Sequence, residues 1–369
     1  IGLLFFALDH FKKVNDTFGH STGDRLLIEV AQRVKGIIRS SDTLARLGGD
    51  EFTIIIENDA TEKRCSFIAK KILKALKSAF LLNQQEVFIS ASIGITIFPV
   101  DGDTPEELLK NADTAMYESK RNGRDQFSYY SKELNRHSIE QLKLENDLRN
   151  ALSLDQFELY YQPKLDLSND KISGAEALIR WHHPERGIIP PDIFIPILES
   201  TGLIIAVGEW VIKTACRQLH IWHDSGHNDL SVAVNLSARQ FSELNLPDLI
   251  SNALTTSKID ARFFEVEITE SMLMENLQNT VTILEGIKKL GVTISIDDFG
   301  TGYSSLEYLK KLPIHAIKID RSFVSDILHD RDDFAITKAI VAMSKGLQLK
   351  VIAEGVEELE QQRKLKEMG

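Results

Sequence analysis

The sequence predicts an α/β protein of two domains, an α+β unit followed by a (β/α) barrel, and three observations carry that prediction. The chain has 369 residues, about the length of two ordinary domains. Its second half repeats one pattern, in which an apolar, β-branched run ends in a polar residue and a helix-like stretch follows. Between the halves, residues 131–153 are charged, helix-favouring and free of Gly and Pro, and read as a helical linker. The expected domains are therefore 1–130, the linker 131–153, and 154–369.

In the first domain, Leu3–Leu8 reads as a buried strand, and Asp24–Ile38 has apolar residues at helical spacing. Thr43–Leu47 and Phe52–Ile56 are short strands around Gly48-Gly49-Asp50, a hairpin signal. Glu62–Phe80 is expected to be helical, and Val87–Phe98 β-rich up to Pro99 and the Asp101-Gly102 turn. Pro105 opens a helix to about Lys120, and Phe127–Tyr130 closes the unit as a strand.

In the second domain the strand-like runs are Ile172–Leu178, Val232–Leu236, Phe264–Thr269, Thr293–Asp298, Ala316–Asp320 and Lys350–Val356. An open doubly wound sheet competes, but no Gly-rich phosphate loop follows the first run. Glu176, Asn235, Glu267, Asp297, Asp298, Lys318 and Glu354 each lie in or at the end of such a run. One buried carboxylate is readily a core ion pair. A whole series at strand ends, which converge on one face of a parallel barrel, points to a shared metal site. Carboxylates plus one amide oxygen, with no His or Cys cluster, favour Mg²⁺ or Mn²⁺. The adjacent Asp297-Asp298 pair suits two ions, a geometry fitted to phosphodiester displacement.

Composition sets the boundaries. Hydrophobic residues at 43% and charged residues at 26% describe a globular chain. No apolar run reaches the roughly 18–20 residues of a bilayer span. Cys65 and Cys216 have no metal-type spacing, so a cytoplasmic setting is expected for this stretch. A net charge of −11 argues against a nucleic-acid polymer as partner, yet leaves room for a small phosphate ligand held by metals. The chain starts at Ile1 inside an apolar run and stops at Gly369 after a helical pattern, and reads as a piece of a longer protein.

The motif Glu176-Ala177-Leu178-Ile179-Arg180-Trp181 stands in order with Asn235-Leu236-Ser237, Glu267-Ile268-Thr269-Glu270, Asp297-Asp298-Phe299-Gly300-Thr301-Gly302-Tyr303-Ser304-Ser305, Lys318-Ile319-Asp320 and Ala353-Glu354-Gly355-Val356-Glu357. This set resembles the EAL cyclic di-GMP phosphodiesterases over about residues 155–369. The resemblance implies hydrolysis of cyclic di-GMP to linear pGpG. Glu176, Asn235, Glu267 and Asp297 would hold one ion, and Asp297 and Asp298 a second. Lys318 and Glu354 would position or deprotonate water. Glu270 would hold the loop after Asp298, a segment linked to homodimer formation. Gln162 and Arg180 would contact the guanine and phosphate, Arg being suited to paired phosphate oxygens. His315 stands where the family often has Asp. The family's final Gln-Gly-Tyr segment is absent, so the barrel is expected to lack its last strand and to be less active and stable than a full-length domain.

Gly48-Gly49-Asp50-Glu51-Phe52, with Asp9-His10-Phe11-Lys12, Asn15-Asp16 and Gly23-Asp24, resembles the GGDEF cyclases over about residues 1–130. A mainly antiparallel central sheet is implied. Asn15 and Asp24 would meet guanine. Gly48, Gly49, Asp50 and Glu51, with Lys120 and Arg124 one helical turn apart, would meet GTP phosphates. Arg39 and Asp42 match the family's inhibitory product site. Ala7 replaces a metal-binding Asp, so the expected role is a GTP-binding regulatory module impaired as a cyclase, with a sensor domain upstream. The alternatives are a bifunctional cyclase/phosphodiesterase, a non-catalytic cyclic di-GMP or GTP receptor, and a hydrolase of another phosphodiester.

Overall fold

The structure, a computed structural model, describes residues 1–82, 85–241, 245–274, 277–301 and 309–369. It divides into two compact units, Ile1–Lys143 and Leu144–Gly369, with a helix Lys132–Ala151 running across the division.

In the first unit, β1 (Gly2–Leu8), β2 (Thr43–Gly48), β3 (Glu51–Ile56), β4 (Phe80–Leu82), β5 (Gln85–Val87), β6 (Ala91–Ile97) and β7 (Phe127–Tyr129) follow the chain. The sheet order is β2-β3-β1-β6-β7, antiparallel except for the parallel β6–β7 pair, while β4 and β5 form a separate ribbon. Strand β1 is apolar throughout because it is central and covered on both faces. Helices His20–Lys35 and Glu62–Leu76 cover one face, and Pro105–Arg121 approaches the other over Gly94. There a Cβ would overlap the backbone at Ala112 and Met116. Thr61 and Thr104 cap two of these helices, their hydroxyls accepting from Arg64 N and Glu107 N.

Three expectations change. The helix from Glu62 stops at Leu76, and Phe80–Leu82 is strand β4, because Arg33 binds the carbonyls of Ala75, Ser78 and Ala79 and stacks on Phe80. The β-rich run after Val87 is broken at 88–90 into β5 and β6. A helix Phe11–Phe18 lies where no element was read.

In the second unit the strands are β8 (Phe157–Asp166), β9 (Lys171–His183), β10 (Gly187–Ile189), β11 (Ser231–Asn235), β12 (Phe264–Thr269), β13 (Thr293–Phe299), β14 (Ala316–Ile319) and β15 (Lys350–Ala353). The path β10-β9-β11-β12-β13-β14-β15, with β8 on β9, is parallel from β9 to β15. It opens with antiparallel β8–β9 and β9–β10 pairs, a departure from an all-parallel barrel. Its ends do not pair among the described residues, so the sheet is an open partial barrel.

The period-2 rule of a strand sorts its side chains. Val232, Val234, Phe264, Val266, Ile268, Ile294, Ile296, Ile317 and Ile319 join the apolar core beneath the helices. The alternate residues, among them Asn235, Glu265, Glu267, Ser295, Asp297 and Lys318, share the other face.

Candidate active site

Every member of the predicted carboxylate series reaches one cluster on that inner face. At its centre is Lys318, 1% exposed in its side chain. Its Nζ lies 2.6 Å from Glu267 Oε2, 2.6 Å from Glu354 Oε1, 3.0 Å from Asp297 Oδ2 and 3.1 Å from Glu176 Oε2. Asn235 donates from Nδ2 to Glu176 Oε1 at 2.6 Å. Parallel register brings these groups level: Asn235 lies beside Glu267, and Thr269 beside Asp297.

Asp297 and Asp298 pose a geometric problem, since neighbours in a strand point to opposite faces. The register of β13 against β14 shifts between Ile296 and Phe299, and Asp298 takes φ of 53°. This bulge lets both carboxylates serve one side of the sheet. Oxygens of Glu176, Glu267 and Asp297 lie within 4.8 Å of one another, as do those of Asp297, Asp298 and Glu354. An all-oxygen set of this density fits a hard divalent cation.

Four carboxylates share the Lys318 ammonium, and the electrostatics follow. Burial would discharge Lys318, but Glu267, Asp297, Glu176 and Glu354 hold it strongly protonated. Burial also works against the Glu267 anion, yet Lys164 and Lys318 overcome it and keep Glu267 ionised. Glu176 is raised by burial and by Glu267. Asp298 is raised by burial, Asp297 and Asp320. Glu354 is pushed up to about 7, by burial first and against the pull of Lys318.

Gln162 lies directly across the β8–β9 pair from Glu176 and therefore shares its face. Arg180, four residues along the same strand face, stands over the Tyr160 ring at 5.5 Å. Glu270 is buried and accepts from Gly300 N at 3.2 Å, at the start of the loop after Asp298. Gly302, Tyr303, Ser304 and Ser305 lie outside the described residues. His315 accepts from Ile294 N through Nδ1, and burial and Lys288 lower its pKa.

Sequence reasoning missed Lys164. Its Nζ is 2.7 Å from Glu267 Oε1 and 3.3 Å from Glu265 Oε2. Burial opposes its charge, but Glu267 and Glu265 raise its pKa. The available signal was its position two residues after Gln162, on the same face of an unread strand.

The first unit assembles its predicted groups less completely. Gly48 and Gly49 form the β2–β3 turn, Gly49 at φ of 49°, with its carbonyl held by Arg46. Asp50 and Glu51 follow, half-buried. Asn15 has a buried Oδ1 without a partner, beside Gly23, and Asp24 is exposed. Lys120 and Arg124 are not one helical turn apart: the helix ends at Arg121, and Gly123, Arg124 and Asp125 all take positive φ. Ala7 is fully buried in a small cluster with Leu3, Phe5, Ala112 and Met116. Asp9 is committed elsewhere, accepting from Ser90 Oγ at 2.6 Å, Ser92 Oγ at 2.7 Å and Asp125 N at 3.2 Å. Arg39 and Asp42 are in contact: Arg39 N donates to Asp42 Oδ2 at 3.1 Å and Asp42 N donates to Arg39 O at 3.0 Å, while Arg39 is otherwise exposed and the buried Asp42 carboxylate also pairs with Arg64 at 3.3 Å.

Comparison with known proteins bears on both units. Residues 145–369 match the EAL domain, and residues 1–126 match the diguanylate cyclase GGDEF domain. The bifunctional diguanylate cyclase/cyclic di-GMP phosphodiesterase MucR of Pseudomonas aeruginosa is 48% identical over 367 residues, covering 100% of this chain and 53% of that protein. The cyclic di-GMP phosphodiesterase NbdA of the same organism is 42% identical over 367 residues, with 100% and 47% covered. The chain thus spans about half the length of these curated relatives. The solved phosphodiesterase of PaMucR in its c-di-GMP complex is 49% identical with a TM-score of 0.60, covering 62% of this chain and 92% of that one. The chain belongs to the EAL domain family and carries a GGDEF domain in its first 126 residues.

Proposed function

We propose that the second unit hydrolyses cyclic di-GMP to linear pGpG with divalent metal, and that the first is a GTP-binding regulatory module impaired as a cyclase. The observation that carries the hydrolase reading is the gathering of Glu176, Glu267, Asp297 and Glu354 around Lys318. Glu176, Asn235, Glu267 and Asp297 would hold one Mg²⁺ or Mn²⁺, and Asp297 and Asp298 would hold a second. Bound there, such ions supply charge neutralisation for the phosphoryl oxygens and acidify a water. Gln162 and Arg180, on the face of Glu176, orient guanine and phosphate. Glu354, with its pKa near 7, takes the proton of the attacking water, and the Lys318 ammonium beside it steadies the charge. Glu270 fixes the start of the loop after Asp298, through which a homodimer partner acts.

For the first unit, Ala7 offers no metal oxygen, and the hydrogen bonds to Asp9 keep that carboxylate from substituting. GTP binding is supported by the Gly48-Gly49 turn and the unpartnered Asn15 Oδ1. An inhibitory product site at Arg39 and Asp42 is supported by their direct contact, Arg39 N donating to Asp42 Oδ2 at 3.1 Å. An upstream sensor fits a chain that spans half of its relatives. On the cyclic di-GMP reading we place the reaction in the cytoplasm; separately, no helix among the described residues is long and apolar enough to cross a membrane.

The test is incubation of the purified chain with cyclic di-GMP and Mg²⁺ or Mn²⁺, with Glu176→Ala as control. The expected result is linear pGpG from the unaltered protein and at least a hundredfold less from the variant. Folded protein that binds cyclic di-GMP without cleaving it would favour a receptor instead.

A further inference from the structure

The geometry points to Lys164 as a resident counter-cation that limits how tightly the carboxylate centre binds a divalent ion, an inference that rests on the metal-dependent reading above. Glu267 is fully buried, and its two oxygens are held by different ammonium groups. Oε2 faces Lys318 at 2.6 Å, among the oxygens of Glu176 and Asp297. It is therefore the oxygen turned toward the candidate ion. Oε1 faces away, to Lys164 at 2.7 Å.

The two lysines differ in their freedom to yield. The four carboxylates around Lys318 all belong to the two candidate ion groups, so an ion entering there takes over the neutralisation that Lys318 supplies. Lys164 is tethered on its far side by Glu265 at 3.3 Å, and Glu265 is itself pinned by Ser295 Oγ at 2.6 Å. With its side chain 15% exposed and its ammonium shared by Glu265 and Glu267, Lys164 would leave both buried carboxylates without that charge if it withdrew. Its charge thus stays on the far oxygen of a candidate ligand, 2.7 Å from Glu267 Oε1, where it would weigh on a cation held by the same carboxylate. Like charges in a buried site oppose each other, so Lys164 sets an upper limit on metal affinity. A lysine that merely oriented Glu267 for the ion would have the opposite effect on removal, and the two roles separate by sign.

The experiment is calorimetric titration of Mn²⁺ into unaltered protein, Lys164→Met and Lys164→Arg, without substrate and with thermal melts of each. Lys164→Met is expected to bind Mn²⁺ about tenfold more tightly, and Lys164→Arg, which keeps the charge, to match the unaltered protein. Unchanged or weaker binding by folded Lys164→Met overturns the inference. Should that variant fail to fold, Lys164→Gln, which keeps a donor without charge, carries the same expectation. Failure of both to fold also overturns it, since Lys164 would then be a structural ion pair. Turnover of cyclic di-GMP by the unaltered protein is measured in parallel. Its absence refutes the phosphodiesterase reading, whereas turnover with unchanged Lys164→Met affinity refutes only the role of Lys164.

Discussion

Replacing Lys318 by Met tests whether the centre is organised around a cation. The side chain is 1% exposed and makes four carboxylate contacts of 2.6–3.1 Å. Removing one partner of a buried ion pair costs about 3–5 kcal/mol. Lys318 is the shared partner of four acids, so the upper part of that range applies unless protons or metal replace it. For a unit of this size, each kcal/mol moves the melting temperature by about 2–4 °C. Without metal at pH 8, the barrel transition of Lys318→Met should therefore fall by roughly 8–20 °C. Millimolar Mg²⁺ should narrow the deficit, because an ion bound only by the folded state stabilises it and supplies the missing positive charge. Turnover should fall at least a hundredfold even where Mg²⁺ restores the melt. The assay is paired thermal melts in EDTA and in Mg²⁺, with pGpG production measured alongside. A variant that melts with the unaltered protein in EDTA, or whose deficit ignores Mg²⁺, would refute the reasoning.

A second expectation concerns pH. Glu354 rises from 4.5 to about 7 on folding, so between those values the folded protein holds a proton that the unfolded chain has lost. Stability of the metal-free protein should therefore fall as pH rises from about 5 to 7, by up to ~3 kcal/mol from this group, and level off above. Urea melts of Glu354→Gln in EDTA should show a shallower slope, and an identical slope would count against the assignment. Gly94→Ala should destabilise the first unit by about 1–3 kcal/mol, because its Cβ meets backbone at Ala112 and Met116 and not a flexible side chain. Chemical denaturation of the intact chain, compared between Gly94→Ala and the unaltered protein, decides this. The unaltered protein given GTP and Mg²⁺ should make neither cyclic di-GMP nor its hydrolysis product pGpG above background. Robust synthesis would show that Ala7 is no barrier.

Much of the second unit was legible because a strand writes its two faces into alternate residues. Val232 and Val234 announce the helix-covered face, and Glu267 and Asp297 are anomalous enough in apolar runs to reveal the other. The first unit was less readable. Arg33 ends the helix at Leu76 through carbonyls more than forty positions away, and no local period records such a contact. The same limit made Lys120 and Arg124 look like neighbours on a helix that three positive-φ residues in fact terminate.

The sequence by itself determined that acids would collect at the ends of parallel strands, since both the strands and the intruding carboxylates are local features. Only the tertiary structure decided how the acids are balanced. The bulge that turns Asp297 and Asp298 to one side depends on register with β14. The two lysines that divide Glu267 reach it from 103 and 51 residues away in the chain. Ionic pairing at close range depends on three-dimensional separation, and spacing along a sequence carries no record of which charge fills which gap.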